Sequence, residues 1–206
     1  VNIKESLVAA GYPGLLFCHL MPWFGTTKHR DVGYQSWKPW VVGQQIKAMQ
    51  NEGIEGVIVT WNGDLVDPQG HAATIEMCYQ CESKGMKFAL LLNPPMVQYR
   101  PDKTVTPNQE VMNRLLTTDA YYMLHSTAYW KNYVLEFDMQ SQGVNVAQLQ
   151  TSMPTYAFLS KHTGYTWLEK ASGSVSASQN TLNTMKKDLA GGTVKAAGIA
   201  QQFFDG

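Results

Sequence analysis

The sequence predicts an α/β fold built on a parallel sheet. Short apolar runs alternate with longer amphipathic stretches, in units of roughly 30 to 45 residues. The runs are continuously apolar, as in strands buried on both faces. Gly and Pro punctuate the junctions between them. Two architectures satisfy this repeat, a (β/α)8 barrel and an open doubly wound sheet, both with right-handed crossovers. No Gly-x-Gly-x-x-Gly and no phosphate loop follows a strand, which weakens a dinucleotide-binding open sheet. A full barrel takes about 250 residues and eight strands. Six strands can be counted in the 206 residues. The expectation is therefore a TIM-type barrel, incomplete at about six βα units. It occupies residues 1–206 as one partial domain, with the rest of the barrel outside this chain.

The elements follow in order. The run 14–21, from Gly14 to Met21, reads as the first buried strand. A loop with Pro22, Gly25 and Gly33 leads to a helix capped by Ser36, running through Val41, Val42, Ile46 and Met49 to a stop at Gly53. Trp37 and Trp40 on that helix read as packing residues. Gly56 to Trp61 is a second strand, rich in β-branched residues. Turn residues fill 62–70, and a helix spans His71 to Lys84, ending at Gly85. Lys87 to Asn93 is a third strand, stopped by Pro94 and Pro95. Thr106-Pro107 opens a helix reaching about Leu116, with a second piece from Asp119 to Leu124. Tyr133 to Met139 is a fourth strand. The stretch 140–160 stays open between a helix at Val146 to Gln150 and one at Pro154 to Ser160. Gly164 to Leu168 and Val194 to Ala200 complete six strands, separated by a Ser/Gly-rich loop and a helix from Gln179 to Leu189.

Composition narrows the function. Lys+Arg and Asp+Glu number 16 each, so the net charge is zero. A general nucleic-acid binder or a polybasic membrane-surface protein needs a surplus of basic residues. No run of 18 apolar residues exists to span a bilayer. Six Trp, ten Tyr and seven Phe exclude intrinsic disorder. Three cysteines, Cys18, Cys78 and Cys81, do not make a disulfide framework. Cys78-Tyr79-Gln80-Cys81 lies well inside a helix, away from the N-terminus a redox pair uses, and no second C-x-x-C offers a zinc site. No Gly-x-Ser-x-Gly elbow appears. The chain begins on Val1 and shows no charged n-region before an apolar stretch. Low charge and abundant Gln, Asn, Ser and Thr lean towards a secreted, extracellular protein.

The strand ends carry a family resemblance. The segment Phe17-Cys18-His19-Leu20-Met21-Pro22-Trp23-Phe24-Gly25 resembles the "Y-Y-P-W-Y/F-G" start of glycoside hydrolase family 99 and the "F-x-H-Y-M" start of family 71. Met49 through Gly53-Ile54-Glu55 to Trp61 resembles their "M-x-x-x-G-I-D-x-x-x-x-x-W" second unit. Gly85-Met86-Lys87-Phe88-Ala89 resembles their "H-G-L-K-V-A" lead into the third strand, and Gly164-Tyr165-Thr166-Trp167 a later barrel strand. The resemblance implies a glycosidase acting on α-linked mannan or glucan, without a cofactor. One departure is plain. Family 99 places its catalytic acids in a late "W-N-E-W-x-E" motif that this chain lacks, and its "H-I-E-P" reads Leu91-Leu92-Asn93-Pro94 here.

In parallel α/β folds the chemistry collects at the C-terminal strand ends. That selects His19, Trp23, Trp61, Asn62, Asn93, Trp167 and Asp205 as substrate-binding candidates. Glu136 and Asp138 are the candidate catalytic carboxylates. They stand two apart on one strand and share a face. Paired carboxylates are the equipment of glycoside hydrolysis, but acids on one strand are poorly placed to approach a sugar from opposite sides. Sugar binding and burial at a polar barrel mouth are their other readings. His19 reads either as a satisfied core histidine or as a sugar ligand. Trp23, Trp61 and Trp167 read as loop aromatics that stack on pyranose rings, or as core. The sequence thus points to a glycoside hydrolase, or to a non-catalytic carbohydrate-binding or structural protein on the same scaffold. The expected partner is carbohydrate, with no nucleic acid, metal or membrane span. Self-association or a partner chain would cover the open barrel edges.

Overall fold

The computed structural model describes residues 2–9, 15–25, 31, 33–93, 98–99, 105–106, 108–136, 139–160, 166–169 and 197–200. A short helix α1 (Ile3–Ala9) precedes β1 (Leu16–Leu20), α2 (Pro39–Asn51), β2 (Gly56–Trp61), α3 (Pro68–Lys84) and β3 (Lys87–Leu92). A two-stranded antiparallel ribbon, β4 (Gln98–Tyr99) with β5 (Val105–Thr106), leads to α4 (Asn108–Arg114), a π-helical turn (Leu115–Asp119) and α5 (Tyr121–Leu124). Then come β6 (Tyr133–Glu136), α6 (Val146–Ser152), β7 (Ala157–Ser160), β8 (Thr166–Glu169) and β9 (Ala197–Ala200).

Seven strands form one sheet in the order β7-β6-β3-β2-β1-β9-β8, every pair parallel. Its two edges are consecutive in the chain: Ser160 ends β7 and Thr166 begins β8. Six peptide steps reach at most about 20 Å. Six strand spacings across a flat sheet come to about 29 Å. The sheet must curl until its edges approach, so the strands lie around a partial TIM-type barrel and the open-sheet alternative falls.

The central strands explain the continuous apolar runs. Leu16, Cys18 and Leu20 of β1, Val57 and Val59 of β2, and Phe88, Leu90 and Leu92 of β3 face the helices. There they meet Val42, Ile46 and Met49 of α2 and Met77, Cys78 and Cys81 of α3. The opposite face, with Phe17, Ile58, Ala89, Leu91 and Leu135, forms a separate inner cluster. Gly56 is required inside the barrel. Register places it beside Phe17, and a Cβ there would run into the Phe17 ring. That ring in turn packs on Trp130, with centroids 4.5 Å apart.

Several boundaries differ from the sequence reading, each for a local reason. Helix α2 starts at Pro39, not Ser36, because the fixed proline φ suits the first helical turn. Ser36 instead accepts the Phe24 N–H at 3.1 Å and donates its own backbone N–H to the Phe24 carbonyl, pinching the β1–α2 loop. Helix α3 starts three residues before His71, at Pro68, with the Asp67 carboxylate accepting the Gly70 N–H at 3.0 Å. It stops as expected at Gly85, which takes the left-handed conformation. Thr106 belongs to the ribbon, and α4 begins at Asn108. In the open stretch 140–160 the helix is the Val146 one, capped by Asn145, while 157–160 is a strand. Helix α1 had no counterpart in the reading. It is tied in through Glu55, whose carboxylate takes both the Lys4 ammonium at 2.7 Å and the Leu16 N–H at 3.0 Å. The expected helix 179–189 lies outside the described residues.

Candidate functional site

The C-terminal ends of β1, β2 and β3 stand side by side, and strand alternation decides what they present. On β1 the inner residues are Phe17 and then His19. On β2 they are Gly56, Ile58 and Thr60. His19 and Thr60 are both buried, at 7% and 6% exposure, and His19 Nε2 shares a hydrogen bond of 2.5 Å with Thr60 Oγ1. Either atom can donate, according to the imidazole tautomer. On β3, Ala89 and Leu91 face inward, and the Asn93 N–H continues the ladder to the Trp61 carbonyl at 3.4 Å. The same alternation carries Asn93 and Asn62 to the inner side, both half-buried. Three neighbouring strands thus end in hydrogen-bonding side chains above an apolar floor of Leu91 and Leu135. The sequence reading names His19, Asn62 and Asn93 as candidates, and all three lie at these strand ends. It missed Thr60, whose only signal is a lone hydroxyl one layer above Ile58 in an apolar run.

Trp61 is corrected. Of its two readings, a loop aromatic for stacking or core, only the core one holds: it is 1% exposed and faces the helices with Val57 and Val59. Its indole N–H donates to His71 Nδ1 at 3.0 Å. Trp40 is corrected in the other direction. Read as a packing residue, it is 60% exposed at the start of α2. It lines an open hollow of about 510 Å³ with Gly25, Asp31, Tyr34, Gln35 and Lys38. Trp23 is half-buried, three residues beyond β1.

Glu136 ends β6 in register with Leu92, on the helix-facing side, whereas Leu135 faces inward beside Leu91. Its carboxylate accepts the Met139 N–H at 3.0 Å. Its backbone is at the barrel mouth, but its side chain does not join His19 and Thr60. Asp138 and Asp205 lie outside the described residues. Trp167 sits in β8, opposite Gly198, and only its strand position is described.

A charged cluster that sequence spacing does not show lies next to Asn62. Asp64, in the loop after β2, accepts from Arg114 Nη2 at 2.9 Å, and Asp119 accepts from the same nitrogen at 3.2 Å. Burial pushes the Asp119 carboxyl above the ordinary aspartate range, and the adjacent Asp64 adds to this while Arg114 opposes it. The loop is also seated on the π turn, since a Cβ on Gly63 would collide with Leu115.

Cys78 and Cys81 are both fully buried among the helix-facing core residues. Burial pushes Cys78 up to about 11 and Cys81 higher still, so neither carries a thiolate at neutral pH. Among the described residues no three metal-ligating side chains converge, and no helix is long and apolar enough to cross a membrane.

No family model matches the chain, and no curated protein matches it. Among solved structures it is similar to the GH99 endo-alpha-mannosidase from Bacteroides thetaiotaomicron. The TM-score is 0.48 at 12% identity, over 90% of this chain and 70% of that one. Identity so low carries no residue role from that protein to this one.

Proposed function

We propose that the chain is a glycan-binding barrel of the glycoside hydrolase type, acting on an α-linked polysaccharide or glycan such as mannan or α-glucan. One observation supports this above the others. His19, Thr60, Asn62 and Asn93 crown three adjacent strands on the inner side with hydrogen-bond donors and acceptors. Such groups suit sugar hydroxyls, and His19 and Thr60 sit in the segments that resemble families 71 and 99. Hydrolysis would rest on paired carboxylates, either Glu136 with Asp138 or a pair supplied from outside this chain, with no cofactor. Action on polysaccharide agrees with a secreted protein, and a partner chain or self-association would complete the barrel.

A second reading, binding without hydrolysis, draws on the placement of Glu136. Its carboxylate is on the helix-facing side and already holds the Met139 N–H. Titration calorimetry with α-linked manno- and gluco-oligosaccharides, run beside a reducing-end assay, separates the two. Binding with release of reducing ends, lost in Glu136→Gln, supports the hydrolase. Binding without release supports the second reading. Absence of binding to either series overturns both.

A further inference from the structure

We infer that the hollow in the β1–α2 loop is a pyranose-binding subsite, with Trp40 as its stacking platform and Gln35 as its hydroxyl reader. This rests on the proposed glycan-binding function and deepens it. The hollow opens beside the loop that leaves the C-terminal end of β1, the same side of the barrel as His19. Its volume of about 510 Å³ falls within the roughly 300–1,000 Å³ of small-molecule sites. Trp40 is 60% exposed although the helix that bears it has a buried face in Val41, Val42 and Ile46. A large indole left in water on an ordered helix is available to an incoming apolar face.

The rest of the lining selects the ligand class. Among the described lining residues, Asp31 and Lys38 contribute one charge of each sign. Gln35 offers a carbonyl and an amide on an exposed side chain, which matches a hydroxyl that both donates and accepts. Tyr34 adds a second ring, itself packed towards Phe24 at 6.2 Å between centroids. An aromatic face for the C–H side of a sugar ring, flanked by neutral and balanced polar groups, is chemistry for an uncharged pyranose.

The local backbone holds this arrangement in shape. The reciprocal hydrogen bonds between Ser36 and Phe24 close the loop behind the hollow. Asp31 accepts the Gly33 N–H at 2.9 Å, which turns the chain before Tyr34. Gly25 has φ +76, and a Cβ there would strike the Tyr34 carbonyl. The described residues of the loop thus hold this side of the hollow in shape.

The test is calorimetric titration of the full chain with α-mannotetraose and maltotetraose, comparing wild type, Trp40→Ala and Gln35→Ala. Both substituted residues are exposed, so the fold is retained and circular dichroism verifies it. The expected result is a loss of at least about tenfold in affinity for Trp40→Ala. A smaller loss is expected for Gln35→Ala, together with reduced acrylamide quenching of the wild type when sugar is bound. Wild-type binding that neither substitution weakens overturns the subsite while leaving the glycan-binding function standing. Absence of wild-type binding to both tetrasaccharides overturns that function, and the subsite with it.

Discussion

The indole N–H of Trp61 donates to Nδ1 of His71 at 3.0 Å, joining the last residue of β2 to the first turns of α3. This single bond takes Trp61 away from the barrel mouth. The residue fills the space between sheet and helices and satisfies its one polar group there.

Trp61→Ala should therefore act on stability first. Removing a fully buried indole costs about 3–5 kcal/mol, seen as a large fall in the urea midpoint. His71→Phe keeps the ring but leaves the indole N–H without its acceptor, at about 1–2 kcal/mol. A Trp61→Ala protein as stable as wild type would contradict this placement.

Thr60→Val should separate binding from folding at the mouth. The isostere fits the same space but removes the oxygen that His19 meets at 2.5 Å, costing about 1–2 kcal/mol in denaturant. It also releases His19 from its set orientation, so oligosaccharide affinity should fall even where the protein is fully folded. Unchanged affinity in the folded variant would place the sugar elsewhere.

Gly56→Ala tests the inner packing. The new methyl would enter the Phe17 ring, which is backed by Trp130. Overpacking of this kind costs about 1–3 kcal/mol. Phe17→Leu in the same chain should recover part of the loss, because the smaller side chain yields the space. Thermal unfolding of the single and double variants measures both effects.

Arg114 and Asp119 are five residues apart, which on an α-helix sets side chains about 140° from each other. They meet because the π turn ends in an i→i+5 bond, from the Ala120 N–H to the Leu115 carbonyl at 2.7 Å. Folding raises the Asp119 pKa from its ordinary value near 3.8, chiefly by burial and then through Asp64. The folded state thus favours the protonated acid. Its stabilising contribution is complete below the ordinary value and disappears as pH rises through the raised one. Wild type should lose stability relative to Asp119→Asn as pH climbs from about 4 towards neutrality. Parallel stability curves for the two proteins would show that folding does not raise the Asp119 pKa.

The sequence by itself determined six of the seven sheet strands, the class and the charge balance. Continuous apolar runs such as Gly56 to Trp61 mark strands buried on both faces. The end-of-strand rule reached His19, Asn62 and Asn93. Tertiary structure alone decided which face each strand-end residue takes. A run that is apolar on both sides has no alternation to read, so Thr60 and Trp61 cannot be sorted until register with β1 and β3 is known. For the same reason Trp61 and Trp40 exchanged roles, since exposure depends on what packs against a ring rather than on the ring. The closing curl of the sheet, and the π turn that brings Asp119 to Arg114 and Asp64, belong to the tertiary level as well. Both arise from contacts between segments distant in sequence or from backbone hydrogen bonds that no local spacing encodes.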